Sequence, residues 1–258
     1  MEIEIQDLLE AGVYFGHPSR QFDPRIKPYL YGRRQGIYII DIEKTIEKLK
    51  EAGEFLKKVA ANGGKILLVG TKKQAQTIIK EIGEKCEMPY VNYRWIGGTL
   101  TNFNEIRKRI NRLKEIEDYE KSGKINLYTK KEAQLLMKEK EDLLKKFGGI
   151  RDMESFPDAI VVVDVRRESN AIKEAKKANI PIVGIVDTNG NPEIVDYPIP
   201  GNDDGFKSIN LLLSVISEYI LEGKKEGAYV VEEKDKESKE DNNGEKSTKE
   251  EKNESWYR

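Results

Sequence analysis

The sequence predicts an α/β fold: a doubly wound, mostly parallel sheet into which an antiparallel helical hairpin is inserted. Two apolar runs, residues 159–165 and 182–186, are too short for buried helices and too continuous for strands with one wet face. Between them, residues 168–178 place alanine and isoleucine at helical spacing. A crossover of this length makes the two strands parallel neighbours with a right-handed connection.

Before this central unit, strands and helices alternate after a long irregular segment. The predicted elements are a short helix over residues 3–11, an ordered loop over 12–36, strands over 37–42, 65–69 and 89–92, and helices over 43–61 and after Lys73. Asn62-Gly63-Gly64 ends the long helix, because a helix end in the left-handed conformation favours residues without a steric penalty there.

Residues 102–148 depart from this alternation and predict two helices of similar length. In the first helix, apolar residues recur at three-four spacing from Phe103 to Ile116. Thr129 and Glu132 predict a capping box at the start of the second helix, which Gly148-Gly149 closes. Two helices with a narrow apolar seam and a short connection predict an antiparallel hairpin.

These patterns divide the chain into three parts. Residues 1–101 and 149–230 form the predicted α/β core domain, 102–148 the inserted helical hairpin and 231–258 a charged tail. Within the core, residues 196–200 predict a brief edge segment and 205–221 a final helix. The tail has almost no apolar content, so it cannot offset the entropic cost of ordering and is expected to be disordered.

Charge is unevenly distributed, although the formal net charge is only −1. Residues 232–258 hold ten acidic and seven basic residues, which leaves the rest of the chain at +2. Within that rest, residues 94–114 carry six Lys or Arg against one Glu, 20–34 five against one Asp, and 65–80 four against no acid. Such clusters can neutralise phosphates or form an ordinary solvated surface.

Cysteine usage and the amino terminus indicate the compartment. Cys86 is the only cysteine, which excludes an internal disulfide and indicates a reducing environment. The first residues lack the basic start and apolar centre of a signal peptide, and no apolar run approaches membrane-spanning length. A cytoplasmic protein without a membrane partner is therefore expected.

The sequence does not contain the catalytic motifs of the common hydrolases. His17 is the only histidine, and no serine or cysteine lies in a nucleophile elbow near a candidate base. The Gly70–Lys73 turn precedes a helix N-terminus and can bind an anion, but Walker spacing and GxGxxG are missing. A small enzyme or nucleotide-binding module on this sheet is the competing hypothesis, and a protein adaptor that uses the hairpin is a third.

Four acids are predicted to gather at the carboxyl edge of the sheet, where parallel strands of this fold place their working groups. They are Asp164, Asp187, Asp203 and Asp204. Asp187, Asp203 and Asp204, with His17 as an additional ligand, could hold Mg²⁺ or another hard divalent cation, because carboxylates suit such ions. The alternative is structural, since Asp203 or Asp204 can cap a helix and Asp187 can fix its own turn.

Two segments combine basic residues with aromatic rings or glycines. The loop over 12–36 alternates phenylalanines and tyrosines with arginines, a mixture that can stack on bases and neutralise phosphates. Residues 93–98 place Arg94 and Trp95 beside two glycines that permit close backbone approach. The structural alternative for the loop is a cover over the sheet edge. For Trp95 it is a ring buried in the core.

Five blocks of the chain carry a family resemblance. They are PYLYGRRQGIYIIDIEKT (28–45), LLVGTKKQAQ (67–76), YVNYRWIGGTLTNF (90–103), PDAIVVVD (157–164) and IPIVGIVDTNGNPEIVDYPIPGNDD (180–204). In this order they closely resemble the second protein of the bacterial small ribosomal subunit and span nearly all of residues 1–230. Strings as long as RWIGGTLTNF make the resemblance specific.

The resemblance implies a flavodoxin-like α/β domain with an inserted coiled-coil hairpin and no enzymatic activity. It also implies binding to small-subunit ribosomal RNA near the junction of head and body, late joining during assembly, and contact with the S-one protein that captures messenger RNA. The resemblance implies neither a DNA partner nor a required cofactor. Residues after Val231 lie outside the resemblance.

Given this resemblance, the clustered cations become candidate RNA contacts. Most would go to phosphate and sugar, because folded RNA presents its backbone and shape more readily than base edges. The candidates are Arg20, Arg33, Arg34, Lys72, Lys73, Arg94, Trp95, Arg107, Lys108 and Arg112. A core charge of +2 is modest for an RNA-binding protein, so neighbouring proteins are expected to share the attachment.

Overall fold

The computed structural model describes residues 4–228, which contain eight strands and seven α-helices. The strands are β1 (Phe15–Pro18), β2 (Leu30–Arg34), β3 (Ile37–Ile40), β4 (Ile66–Val69), β5 (Tyr90–Val91), β6 (Ala159–Val163), β7 (Ile182–Val186) and β8 (Tyr197–Pro200). The helices are α1 (Ile5–Glu10), α2 (Ile42–Ala61), α3 (Lys73–Cys86), α4 (Phe103–Lys121), α5 (Lys130–Phe147), α6 (Ser169–Lys177) and α7 (residues 206–228).

The last five strands form a parallel sheet in the order β5-β4-β6-β7-β8. Numbered by their own sequence, these strands run 2-1-3-4-5, the order of flavodoxin-like folds. The predicted unit of strand, helix and strand is confirmed, because β6 and β7 are parallel neighbours joined through α6. The doubly wound sheet follows from the same apolar runs that predicted it.

Both faces of the sheet are covered. In β6, Ala159, Val161 and Val163 point into one core, and Ile160 and Val162 into the other. Helices α1, α2, α3 and α7 pack in the first core, while α4, α5 and α6 contribute to the second. This arrangement explains why β6 and β7 are apolar at every position: neither face meets water.

Helices α4 and α5 lie between β5 and β6 in the chain and pack on one another. The apolar stripe of α4 from Ile106 to Ile116 is buried, and Arg112 of α4 forms an ion pair with Glu139 of α5. The predicted capping box of Thr129 and Glu132 is present at the start of α5. The coiled-coil character of this pair stays a prediction.

Residues 12–36 differ from the predicted loop, because they contain two strands. β1 and β2 flank β3 in a separate antiparallel sheet. The turn between β2 and β3 has positive φ at Gln35 and Gly36, as a type I′ hairpin requires. The strands were missed because they are short and built from Gly, His, Pro and Arg, without the alternation of apolar and polar residues that marks a strand.

Thr188, which follows β7, joins this small sheet to the parallel sheet. Its hydroxyl oxygen accepts a hydrogen bond from the backbone amide of His17 at 2.7 Å, and its carbonyl accepts one from Asp23 at 3.0 Å. A Cβ atom added at Gly16 would lie 2.4 Å from Cγ2 of Thr188. The glycine is therefore needed for the close approach of the two sheets.

Substituting Gly16→Ala is expected to lower the free energy of unfolding by roughly 1–3 kcal/mol, because the added methyl group overpacks this contact. Gly32→Ala is the matched control in the same small sheet, since a Cβ there meets nothing within 4 Å. Urea unfolding of both variants measures the difference. Equal stabilities would show that the contact through Thr188 is looser than the structure indicates.

The carboxyl-terminal end of the fold agrees with the predicted elements in kind and differs in length. β8 pairs with β7 at the edge of the sheet, and α7 continues to residue 228, beyond the predicted end at 221. The predicted disordered tail over 231–258 lies outside the described residues. Among residues 4–228, none of the helices combines the length and the apolar character needed to cross a membrane.

Candidate functional site

The carboxyl ends of the parallel strands bring four loops to one edge of the molecule, here called the carboxyl edge. Gly70–Lys73 follows β4, Asp164–Arg167 follows β6, Asp187–Asn191 follows β7 and Gly201–Gly205 follows β8. In flavodoxin-like folds, ligands bind at this edge, in the crevice where the strand order reverses. Here the reversal lies between β4 and β6.

Lys72 lies at the centre of the acids of this edge. Its ammonium nitrogen is 2.6 Å from Oδ1 of Asp203, 2.5 Å from Oδ1 of Asp204 and 3.2 Å from Oδ2 of Asp164. Only 13% of the Lys72 side chain is exposed. The positive charge of Lys72 is thus already neutralised inside the protein, which removes it from the exposed surface predicted to bind RNA.

The proximity of these charges changes their proton affinities. Burial and the nearby carboxylates of Asp187 and Asp164 raise the pKa of Asp203 to about 7, against the opposing charge of Lys72. Burial acts to lower the pKa of Lys72, but the carboxylates that face it raise that pKa overall. The carboxylates therefore favour the charged form of Lys72, and the crowding of acids favours the protonated form of Asp203.

The structure brings together all four residues of the predicted cation site. One ligand atom from each of His17, Asp187, Asp203 and Asp204 lies within 4.8 Å of the others. His17 Nδ1 is 3.1 Å from Oδ1 of Asp187, and Nε2 is 3.0 Å from Oδ2 of Asp204. The hydrogen bond to Asp187 raises the pKa of His17, although burial opposes it.

These donors fit a divalent cation by type, since carboxylate oxygens and imidazole nitrogen both bind such ions. A cation binds only the neutral form of imidazole, whereas the hydrogen bond between His17 and Asp187 favours the charged form. It would also compete with the ammonium group of Lys72 for Asp203 and Asp204. Bound Mg²⁺ or another divalent ion stays a prediction, and Lys72 already pairs with two of its predicted ligands.

The crevice between β4 and β6 is filled by groups of the protein itself. The buried carboxylate of Glu168 accepts hydrogen bonds from the amide of Thr71 at 2.9 Å and from its hydroxyl at 2.5 Å. Arg167 Nε donates to the same hydroxyl at 3.0 Å. Burial raises the pKa of Glu168, and the hydrogen bonds from Thr71 oppose that rise. The Thr71 donors that could have held a phosphate of a nucleotide are engaged by this carboxylate.

The turn over residues 95–101 is built around another internal carboxylate, that of Glu174 on α6. It accepts hydrogen bonds from Trp95 Nε1 at 3.0 Å and from the amides of Gly98 at 2.9 Å, Leu100 at 3.0 Å and Thr101 at 3.2 Å. The hydroxyl of Thr101 adds a fifth at 3.3 Å. Although burial acts in the other direction, these bonds lower the pKa of Glu174.

Trp95 accordingly belongs to the core. Its ring is only 8% exposed and packs in the second core, so it presents no face on which a base could stack. The close backbone approach predicted for Gly98 is present, with φ of +91°, but the group approached is the carboxylate of Glu174. No pattern in the sequence indicates Glu174 for this role.

The other residues predicted to contact RNA differ in their exposure and in whether they form ion pairs. Within the part of the chain that the structure describes, six are exposed and form no ion pair: Arg20, Arg33, Arg34, Lys73, Arg94 and Arg107. Lys108 is exposed but pairs with Glu105 at 2.5 Å. Arg112 pairs with Glu115 and Glu139, which raise its pKa. Arg166, exposed in the loop after β6, was missed as a candidate.

A family model described as ribosomal protein S2 matches residues 8–223 of the chain. The match covers the small antiparallel sheet, the parallel sheet, both helices α4 and α5, and most of α7. It includes every residue discussed at the carboxyl edge.

Proposed function

The chain belongs to the ribosomal protein S2 family, and we propose that it binds small-subunit ribosomal RNA through the basic side chains of its carboxyl edge and of the neighbouring hairpin β2–β3. The family is one of structural ribosomal proteins, not of enzymes, and supports a role in the small ribosomal subunit. The proposal concerns the surface that the protein uses there.

One observation carries this proposal: the acids gathered at the carboxyl edge have partners inside the protein, while several cations on this side have none among the described residues. Asp203 and Asp164 face Lys72. In contrast, Lys73, and Arg94 in the segment that follows the carboxyl end of β5, are exposed without an ion-pair partner among residues 4–228. Phosphates approaching this side therefore meet unpaired positive charge, and each carboxylate of the cluster is held by Lys72 or His17, which favours RNA binding despite the low net charge.

The hairpin β2–β3 extends the same surface. The amide of Ser19 donates to the carbonyl of Gly36 at 3.0 Å, which places Arg20 beside the turn that follows Arg33 and Arg34. All three arginines are exposed. Contacts of this kind with phosphate and sugar fix the position of a protein on folded RNA without reading its sequence.

The test is rebinding of the full chain to small subunits stripped of it, over a series of salt concentrations. Arg94→Ala combined with Arg107→Ala is expected to weaken binding and to reduce the slope of log affinity against log salt by roughly one unit per lost phosphate contact. The matched control, Lys58→Ala with Lys177→Ala, removes the same charge from exposed residues near the amino ends of β4 and β7. It is expected to leave the slope unchanged.

Two results would count against the proposal. If the wild-type chain fails to rebind, the role in the subunit is wrong, and a nucleotide panel in a thermal-shift assay becomes the test of the competing hypothesis. If binding is saturable but the control lowers the slope as much as the test variant, the RNA-binding surface is on another side of the molecule.

We also propose contact with the S-one protein and with neighbouring small-subunit proteins. Leu127 is 86% exposed between α4 and α5, and Leu135 of α5 is 60% exposed. Apolar side chains offer no hydrogen-bond donor to phosphate, so these two leucines are candidates for a protein contact instead of an RNA contact. Retention of the S-one protein on subunits rebuilt with Leu127→Ser and Leu135→Ser tests this; unchanged retention would exclude the two side chains.

A further inference from the structure

A shallow hollow lies at the carboxyl edge between the ends of β6 and β7 and the small antiparallel sheet. Arg20, Phe22 and Asp23 line it from the amino-terminal segment, Arg166 from the loop after β6, and Asn189 from the loop after β7. It is adjacent to the crevice between β4 and β6, which Thr71, Arg167 and Glu168 fill. The hollow is therefore an open recess on the edge of the sheet where this fold normally holds a ligand.

The free polar groups of the hollow are donors. Arg20 and Arg166 are exposed and have no ion-pair partner in residues 4–228. The carboxylate of Asp23 is occupied, because Arg25 donates to it through Nε at 2.9 Å and through a second guanidinium nitrogen at 2.7 Å. These bonds lower the pKa of Asp23. The hollow therefore presents two guanidinium groups and no uncompensated negative charge.

Asn189 adds a third donor. Its side chain lines the hollow, and its Oδ1 is buried without a hydrogen-bond partner among the described residues, which leaves the amide nitrogen as the atom that can donate to a ligand. No hydrogen bond within residues 4–228 engages that nitrogen. An amide N–H beside two guanidinium groups is a donor set that suits a phosphate oxygen.

The walls of the hollow are held in place. The amide of Asp23 donates to the carbonyl of Thr188 at 3.0 Å, directly before Asn189 in the chain. The ring of Phe22 lies 4.4 Å from that of Tyr38 in β3. Because these contacts fix the amino-terminal segment against the loop after β7, the backbone that carries the donors does not have to be ordered when an anion binds, which lowers the entropic cost.

We propose that this hollow binds one phosphodiester group of RNA, with Arg20 and Arg166 contacting the phosphate from two sides and Asn189 donating a third hydrogen bond. The inference rests on the proposed function, and it adds Arg166 and Asn189 to the RNA-binding residues. It also makes a quantitative statement, because the two arginines share a single phosphate instead of neutralising one each.

The test compares Arg20→Ala, Arg166→Ala and the two together in the rebinding assay, with Lys58→Ala and Lys177→Ala as the control pair. Each single substitution is expected to weaken binding about tenfold at fixed salt, the range of a hydrogen bond to a charged group. The double variant is expected to lower the salt slope by about 0.7 to 0.9, the value for one phosphate. Asn189→Ala should weaken binding while leaving the slope unchanged, because the amide is neutral.

The outcomes separate this inference from the function on which it rests. If wild type rebinds but the double variant behaves like the control pair, the hollow is not an RNA contact, and the proposed function stands. If the double variant lowers the salt slope by the value expected for two phosphates, the two arginines do not share a single phosphate. If inorganic phosphate at millimolar concentration raises the melting temperature of wild type but not of the double variant, and RNA binding is equal in both, the hollow is a site for a small free anion. Circular dichroism confirms that each variant is folded.

Discussion

Replacing Glu174 by alanine is expected to lower the free energy of unfolding by roughly 2–4 kcal/mol, one of the largest effects of any single substitution in this fold. The carboxylate of Glu174 accepts five hydrogen bonds from the turn over residues 95–101. Its removal leaves the indole N–H of the buried Trp95 and several backbone amides without an acceptor. Leaving these buried donors without a partner costs more free energy than the hydrogen bonds themselves contribute to stability.

Urea unfolding followed by the fluorescence of Trp95 measures this effect in a Trp256→Phe background, so that the second tryptophan does not contribute to the signal. Glu174→Gln is expected to lose part of the stability, because its amide nitrogen would face N–H groups. Glu81→Ala, an exposed glutamate of α3, is the control and should change stability by less than about 0.5 kcal/mol. Equal values for Glu174→Ala and Glu81→Ala would show that the carboxylate does not organise the turn.

Replacing Lys72 by methionine is expected to cost roughly 3–5 kcal/mol, because it leaves Asp203, Asp204 and Asp164 facing one another without their shared cation. Methionine keeps the length and most of the volume of the side chain, so the loss of stability measures the effect of removing the charge. Adding Asp203→Asn to Lys72→Met should recover part of the stability. No recovery would indicate a packing defect instead of charge repulsion.

The cost of Lys72→Met is also expected to depend on pH. The pKa of Asp203 is raised to about 7, and that of His17 is raised as well. Asp203 therefore binds more proton in the folded than in the unfolded state between about pH 4 and pH 7, and His17 does so from about pH 6.5 upward, so the contribution of each group to stability falls as the pH rises through its own window. Without Lys72 the pKa of Asp203 should rise further, and the substitution should cost more at pH 8 than at pH 5. Urea unfolding of wild type and of Lys72→Met at pH 5 and pH 8 measures this difference. An equal loss of stability at the two pH values would contradict the electrostatic coupling of Lys72 to Asp203.

The parallel sheet could be predicted because its evidence is local. The runs at 159–163 and 182–186 have no polar position, and the residues between them have a single helical period. The meeting of His17 with Asp187, Asp203 and Asp204 could be predicted in large part from topology, since parallel strands end at one edge. The same reasoning applies to Lys72, which follows β4, so its pairing with these acids was accessible from the sequence.

The contacts of Glu174 could not be predicted in this way. Its position on the polar face of α6 is that of any solvated glutamate, and its partner Leu100 is 74 residues away in the chain. Trp95 was ambiguous for a related reason, because the residue type does not distinguish a buried ring with a satisfied N–H from a stacking surface. Both outcomes depend on where α6 packs, which is decided by tertiary structure.

The most direct measurement of the central claim is directed cleavage of ribosomal RNA from single positions on the protein. Cys86 is the only cysteine and is buried, so a Cys86→Ala background permits an iron chelate that generates hydroxyl radicals to be attached at Lys73→Cys on the carboxyl edge or at Lys58→Cys on the opposite edge. After rebinding to stripped small subunits, strong and localised cleavage is expected from position 73 and little from position 58. Stronger cleavage from position 58 would contradict the assignment of the carboxyl edge as the RNA-binding surface.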